Sequence, residues 1–172
     1  MRRWLIAVSI AALAAISVHF DIVRVSRNSM AATYCDGDLL VATSATPGRS
    51  LRGKVVVVSH PTYGQLLKRV VAEGRDHIRA ENGVIFINDK QVPRAVTACL
   101  DRRVRNENWR SIDGLFDVKE YIIPDGQIYV LGDNQAMSTD SRIFGTIDRR
   151  LVVDVVAFRL LNRSPSTCKC AA

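Results

Sequence analysis

Three stretches of the 172-residue chain carry side chains able to do chemistry together. The first is "SRNSMAATYCDGD", with Ser29 followed by Met30. The second is "QLLKRVVAE", with Lys68 among leucines and valines. The third is "YVLGDNQAMSTDSRIFG", residues 129–145, which holds Ser138, Asp140, Ser141 and Arg142. A serine becomes a nucleophile when a base takes its proton. The chain has three histidines, His19, His60 and His77, and their placement suggests no Ser-His-Asp triad. Lysine is the other available base. It must be neutral to act, and burial among apolar groups favours that form. On an extended strand Leu66, Lys68 and Val70 share one face, and Leu67, Arg69 and Val71 the other. Lys68 then projects among apolar side chains. The competing reading is an edge-strand lysine with its head in water. The third stretch ends a strand at Gly132-Asp133-Asn134, and its polar loop can orient a lysine and pair arginines.

These residues must be positioned by β-structure. Strand-like segments fall at residues 22–25, 38–42, 54–59, 65–72, 77–80, 84–87, 118–123, 127–131 and 151–160. Val, Ile and Tyr dominate them, and Gly, Asp, Asn and Pro punctuate between them. Asn82-Gly83 between two such runs predicts a tight hairpin turn. No helical period of comparable length follows residue 20. Residues 90–117 are polar, arginine-rich and irregular, and predict an inserted loop. The fold class expected is mostly β, an antiparallel sheet domain over 21–162 with a C-terminal tail at 163–172.

An apolar run, residues 4–20, precedes that domain and contains no Asp, Glu, Lys or Arg. As a helix it spans about 25 Å, near the lower limit for a bilayer core. Arg2 and Arg3 stand before it, so the positive-inside rule puts the N-terminus in the cytoplasm and the domain outside. The alternative is a cleavable secretory signal, given Ala12, Ala14 and Ala15. Both place the domain in an exported compartment. Four cysteines, Cys35, Cys99, Cys168 and Cys170, fit an oxidising environment, and their pairing stays open. No zinc-ligand spacing, phosphate-binding glycine loop or nucleic-acid motif is found, so no metal, cofactor or nucleic-acid partner is expected. The net charge of +7 by itself separates nucleic acid poorly from anionic lipid.

Taken in order, the segments resemble the type I signal peptidases, membrane-anchored Ser/Lys endopeptidases of the S26 class. The resemblance runs from the apolar anchor through "NSM-x-x-T", "DGDLL", "RGKVVVVSHP", "LLKRVV", "NGVIFINDK" and "IYVLGDN" to "STDSRIFG". It implies an N-terminal transmembrane helix followed by an antiparallel β-sheet catalytic domain. It implies Ser29 as nucleophile, Lys68 as general base and Ser138 as the hydroxyl that orients the lysine, with Asp140 beside it. Arg69 with Asp133, and Asp140 with Arg142, match ion pairs that brace the site. Val25, Met30, Leu66 and Leu67 match residues that line shallow substrate pockets.

The chain departs from the family pattern at several positions. The family usually has proline where Ala32 stands. Arg27 occupies the position, two before the nucleophile, where the family often has Ser or Gly helping to form the oxyanion hole. Arg27 either substitutes as a donor or points to solvent. Gln135 stands where an arginine usually follows the Gly-Asp-Asn.

The function expected is removal of N-terminal signal peptides from exported preproteins with small residues before the cut. The enzyme would sit in the bacterial inner membrane, in contact with the bilayer, its catalytic domain on the periplasmic side. A dedicated processing peptidase for a pilin-like substrate of a conjugation or secretion system is the alternative enzyme. A catalytically inactive peptide-binding scaffold is the alternative of another class, and the joint presence of Ser29, Lys68, Ser138 and Asp140 argues against it.

Overall fold

A computed structural model describes residues 19–31, 33–81, 84–92, 120–134 and 137–162. Strands β1 (Phe20–Arg24), β2 (Leu39–Ser44), β3 (Val55–His60) and β4 (Gly64–Glu73) come first. Next are β5 (His77–Glu81), β6 (Val84–Ile87), β7 (Lys90–Gln91) and β8 (Tyr121–Ile122). They are followed by β9 (Gln127–Leu131), a short helix α1 (Ser141–Phe144) and β10 (Ile147–Asp148). A 3-10 turn (Arg149–Leu151) leads into β11 (Val152–Leu161). Seven strands form one antiparallel sheet in the order β1-β2-β11-β3-β4-β9-β10, and four form a second in the order β7-β6-β5-β8. The mostly-β expectation is met. Segments 84–87 and 127–131 agree with β6 and β9 to the residue.

The two cores lie on opposite faces of β9. Ile128 and Val130 belong to one cluster with Val56, Val58, Val70 and Val152. Tyr129 and Leu131 belong to the other with Ala72, Ile78, Ile85 and Ile123. This is the period-two alternation of a strand covered on both sides. On β4 the pattern changes where the register with β9 shifts between Val70 and Ala72. The extra residue, Val71, is a bulge, and it moves Ala72 from the face of Val70 to the other core. The bulge lies just past Lys68 and Arg69, so those two keep the alternation read from sequence.

Several boundaries are corrected. Phe20 opens β1, pairing with Thr43, so the strand starts inside the run expected to be the anchor. Residues 4–18 of that run lie outside the described residues; among the described ones no helix is long and apolar enough to cross a membrane. Lys90 and Gln91, expected in the irregular loop, pair instead with Ile87 and Phe86. Asn88 and Asp89 both have positive φ, 49° and 62°, which suits a two-residue primed turn between β6 and β7. The rest of the loop, the Asn82-Gly83 turn and the tail at 163–172 lie outside the described residues.

Candidate active site

Lys68 comes from the middle of β4. Its cross-strand partner is Val56 on β3, with Leu66 facing Val58 on the same face. Its stem therefore stands among valines, and the residue is only 2% exposed. Burial pushes the ammonium below the ordinary lysine range. The negative charge of Asp140 opposes that shift, and the positive charge of Arg142 reinforces it. The edge-strand reading with a solvated head is thus set aside.

Lys68 Nζ lies 2.9 Å from Ser29 Oγ and donates to the Leu67 carbonyl at 3.0 Å. A neutral amine has two protons and one lone pair. With one N–H on Leu67, the lone pair is free to accept the Ser29 hydroxyl proton. Ser29 and Lys68 are 39 residues apart in sequence and in direct contact in space.

Ser29 is held from both sides. It lies in a turn after β1, and the turn continues as Ala31 N–H donates to Asn28 O at 3.0 Å and Tyr34 N–H to Met30 O at 2.8 Å. Met30 is buried at 1% exposure and fixes the turn to the interior. From the other side the Asn134 backbone N–H donates to Ser29 O at 2.9 Å, and Asn134 Nδ2 donates to Asn28 O at 3.0 Å. The segment after β9 thereby grips the Ser29 backbone.

The same end is tied to β4. Arg69 Nε donates to Asp133 Oδ1 at 2.8 Å and Nη2 to Oδ2 at 2.6 Å. This bidentate pair lies one residue from Lys68 and one residue from Asn134. The loop that follows is pinned in turn. Asp140, fully buried, accepts from Arg142 Nε at 2.8 Å and Nη2 at 2.9 Å, one bond to each oxygen. Asp140 also caps α1 and accepts from Gly132 N–H at 3.0 Å. Ser141 Oγ accepts from Val130 N–H at 2.9 Å. With both carboxylate oxygens satisfied by a guanidinium, Asp140 draws less charge onto Lys68 than a free carboxylate would.

Ser138 differs from expectation in its bonding. Its Oγ is buried and has no hydrogen-bond partner among the described residues, and Lys68 is held by Leu67 O and Ser29 instead. What packs beside it is Gly132. A Cβ on Gly132 would stand 2.5 Å from Ser138 Cβ and 2.6 Å from Ser29 O, and closer still to Ser138 Oγ. Only glycine lets the loop and the Ser29 backbone approach this closely. From sequence alone Gly132 and Asn134 read as a strand end. Their only signal is the unbroken Gly-Asp-Asn after an apolar strand.

Arg27 has its backbone in the left-handed region, φ 73°, and its N–H donates to Asp36 Oδ1 at 2.9 Å. Its side chain is exposed and is absent from the charges that shift Lys68. Of the residues matched to substrate pockets, Val25 is buried at 3% exposure while Leu66 and Leu67 are half-buried. Cys35, five residues after Met30, is disulfide-bonded. The other three cysteines lie outside the described residues. Two of the three histidines have partners elsewhere: His60 binds the backbone N–H of Thr62 and Tyr63, and His77 pairs with Glu120.

Comparison with known proteins adds the context for this geometry. Residues 1–161 match the family model described as signal peptidase, peptidase S26. The chain is similar to signal peptidase IB of Staphylococcus aureus strain N315, 29% identical over 170 residues, covering 91% of this chain and 87% of that protein. It is similar to signal peptidase I of Streptococcus pneumoniae serotype 4, 28% identical over 191 residues, covering 93% of this chain and 92% of that protein. Among solved structures, it is similar to a signal peptidase I of Enterococcus faecalis V583, with TM-score 0.46 and 20% identity over 65% of this chain and all of that one.

Proposed function

The chain belongs to the S26 signal peptidases, serine peptidases that cleave signal peptides, and we propose that Ser29 and Lys68 are its nucleophile and general base. The observation that carries the assignment is the 2.9 Å contact between Lys68 Nζ and Ser29 Oγ, with Lys68 only 2% exposed. Neutral Lys68 takes the Ser29 proton as Oγ attacks the scissile carbonyl. The tetrahedral oxyanion is met by the Ser29 backbone N–H. Collapse breaks the peptide bond, and the Lys68 ammonium returns its proton to the leaving amine. The mature protein departs and leaves the signal peptide as an ester on Ser29. Lys68, neutral again, activates water to release it. Ser138, Asp133, Asn134, Asp140, Arg69 and Arg142 are positioning residues that hold serine and base in register.

The substrate binds as an added strand. The edge of β4 supports this. Its second neighbour, β9, pairs only from Arg69 onward, opposite Leu131. Among the described residues no strand pairs with Gly64–Lys68 on that side. Apart from the Leu67 carbonyl, which accepts from Lys68 Nζ, the backbone groups on that side can bond the residues before the cut, and Leu66, Leu67, Val25 and Met30 supply the walls that favour small side chains.

Residues 20–162 act as the catalytic unit and the apolar run before Phe20 as a single-pass anchor in the inner membrane, with the site on the periplasmic side. The apolar surface near β1 supports a bilayer beside it. Phe20 and Ile22 are 61% and 67% exposed, and Phe158 and Leu160 on β11 are 53% and 52% exposed. Ile22 and Phe158 flank the same residue, Val41. The test is to incubate detergent-solubilised protein with a preprotein and read the cut by mass spectrometry. Wild type should cut after a small residue, and Ser29→Ala should not cut at all. Cleavage by Ser29→Ala would overturn the assignment.

A further inference from the structure

The free edge of β4 leads from Lys68 back to the β3–β4 turn, and that turn ends in an aromatic cluster. The His60 ring lies 4.9 Å from Tyr63 and 4.7 Å from Phe144, and Tyr63 lies 5.7 Å from Phe144, centroid to centroid. His60 Nδ1 accepts from the backbone N–H of Thr62 at 3.1 Å and of Tyr63 at 3.3 Å, which fixes the turn. Phe144 also packs on the valine core, so the cluster rests on rigid structure. Yet its outer members are open: Tyr63 is 44% exposed and Ile143, beside Phe144 on α1, is 53% exposed. The site described above makes no use of this surface.

We infer that this cluster binds the apolar segment of the signal peptide just upstream of its cleavage site. The inference rests on the reading that the substrate lies along the free edge of β4. A residue at the cut lies beside Lys68. Its upstream neighbours follow the unpaired stretch toward Gly64, parallel to β4. At about 3.3 Å per residue, the five positions from Lys68 to Tyr63 span about 17 Å. The fifth or sixth residue before the cut therefore meets Tyr63 and Ile143. Signal peptides carry a small-residue cleavage site preceded by an apolar segment. The small residues take up the pockets near Lys68, and the end of the apolar segment falls on the aromatic platform. Tyrosine and histidine suit the place, since they offer an apolar face with a wet edge. The apolar surface on β1 and β11 lies toward the other edge of the sheet, with β3 between β11 and β4. It is a separate patch.

The experiment uses the full chain in detergent, free of lipid, and compares wild type with Tyr63→Ser/Ile143→Ser. One substrate is a complete preprotein. The other is a short peptide with four residues before the cut and two after it. For the preprotein, KM should rise about ten-fold in the double variant, the scale for removing one apolar group from a pocket, with kcat within two-fold. For the short peptide kcat/KM should not change. Serines in place of the apolar residues five to seven positions before the cut should raise wild-type KM and erase the difference between the two enzymes. Equal losses on both substrates would mean that the cluster only supports the site. No loss on either would leave the cluster without a part in recognition. No loss in detergent, with a loss when the same assay is repeated in lipid vesicles, would assign the surface to lipid. Each of these three outcomes overturns the inference. The reading it rests on is checked apart, because Ser29→Ala must abolish cleavage of the short peptide, which never reaches the cluster.

Discussion

Arg69 and Asp133 join the strand that carries Lys68 to the loop that grips Ser29, through two parallel bonds of 2.8 and 2.6 Å. Lys68 is the next residue on one side and Asn134, bonded to Ser29 O, the next on the other. The pair thus sets the distance between the two reacting atoms. Asp133 is 3% exposed, so its loss strands a partly buried guanidinium. Asp133→Asn should destabilise the fold by about 3 kcal/mol, the lower end of the range for broken buried pairs because Arg69 keeps some water contact. Below its lowered melting temperature the folded variant should still lose kcat about 10²-fold, the scale of a 1 Å misplacement. Thermal melts and steady-state kinetics on one sample separate the two effects.

Gly132→Ala tests the closest approach in the site. The added methyl meets Ser138 and the Ser29 carbonyl, which is backbone and cannot swing away. Activity should fall by at least about 10²-fold. Gly132→Ala combined with Ser138→Gly removes the Ser138 clash but keeps the one with Ser29, so it should recover only part of the loss. Full recovery would mean that the Ser138 clash alone matters.

Arg142→Met tests the electrostatics around the base. Arg142 lowers the Lys68 pKa and Asp140 raises it. Without the guanidinium, Asp140 draws charge onto Lys68 and its pKa rises. The acid limb of the pH–rate profile should move to higher pH, with activity lost at neutral pH and regained in alkali. A profile that keeps its position while the rate drops at every pH would show that Arg142 acts on geometry alone.

Lys68 itself should carry a stability cost. Its folded pKa lies below the ordinary lysine value, so between those two pH values the unfolded chain binds more protons than the folded one. Stability contributed by this group therefore rises with pH across that window. Lys68→Met removes the burden and keeps the shape. The inactive variant should be about 0.5–2 kcal/mol more stable at neutral pH, and the gain should shrink as pH approaches the ordinary lysine range. Urea melts at two pH values measure it.

Arg27 bears on the departure from the family pattern. Its left-handed backbone favours Asn or Gly, and its side chain is exposed. Arg27→Asn should keep kcat within a few-fold. A loss of about 10²–10³, with an unchanged melting temperature, would instead make the guanidinium an oxyanion donor.

The sequence placed Lys68 on the face of Leu66 and Val70, because the alternation holds up to the bulge at Val71, but that segment alone did not decide between a buried and a solvated lysine head. It exposed the strands of the core for the same reason: β6 and β9 are short, apolar and bounded by turn residues. It did not expose β7 or β10. Each is two residues long, too short for a period, and pairing decides them. Nor did it expose Gly132 and Asn134 as parts of the site. Their roles depend on a backbone approach between residues more than 100 positions apart, Asn134 to Asn28. Ser138 was legible as a polar loop residue, but not its hydrogen bonding, which depends on where Lys68 places its protons.

The central claim is that a neutral Lys68 is the base for Ser29. The most direct measurement is kcat/KM for one short peptide substrate across pH, for wild type, Lys68→Arg and a triple change of His19, His60 and His77 to Gln. Wild type should be nearly inactive in acid and rise with a log-rate slope of about 1 through a single pKa below the ordinary lysine range. Lys68→Arg should be inactive at every pH, since a guanidinium is never a neutral base there. The triple histidine variant should follow the wild-type curve. A folded Lys68→Arg that cleaves, or a folded histidine variant that does not, would contradict the dyad.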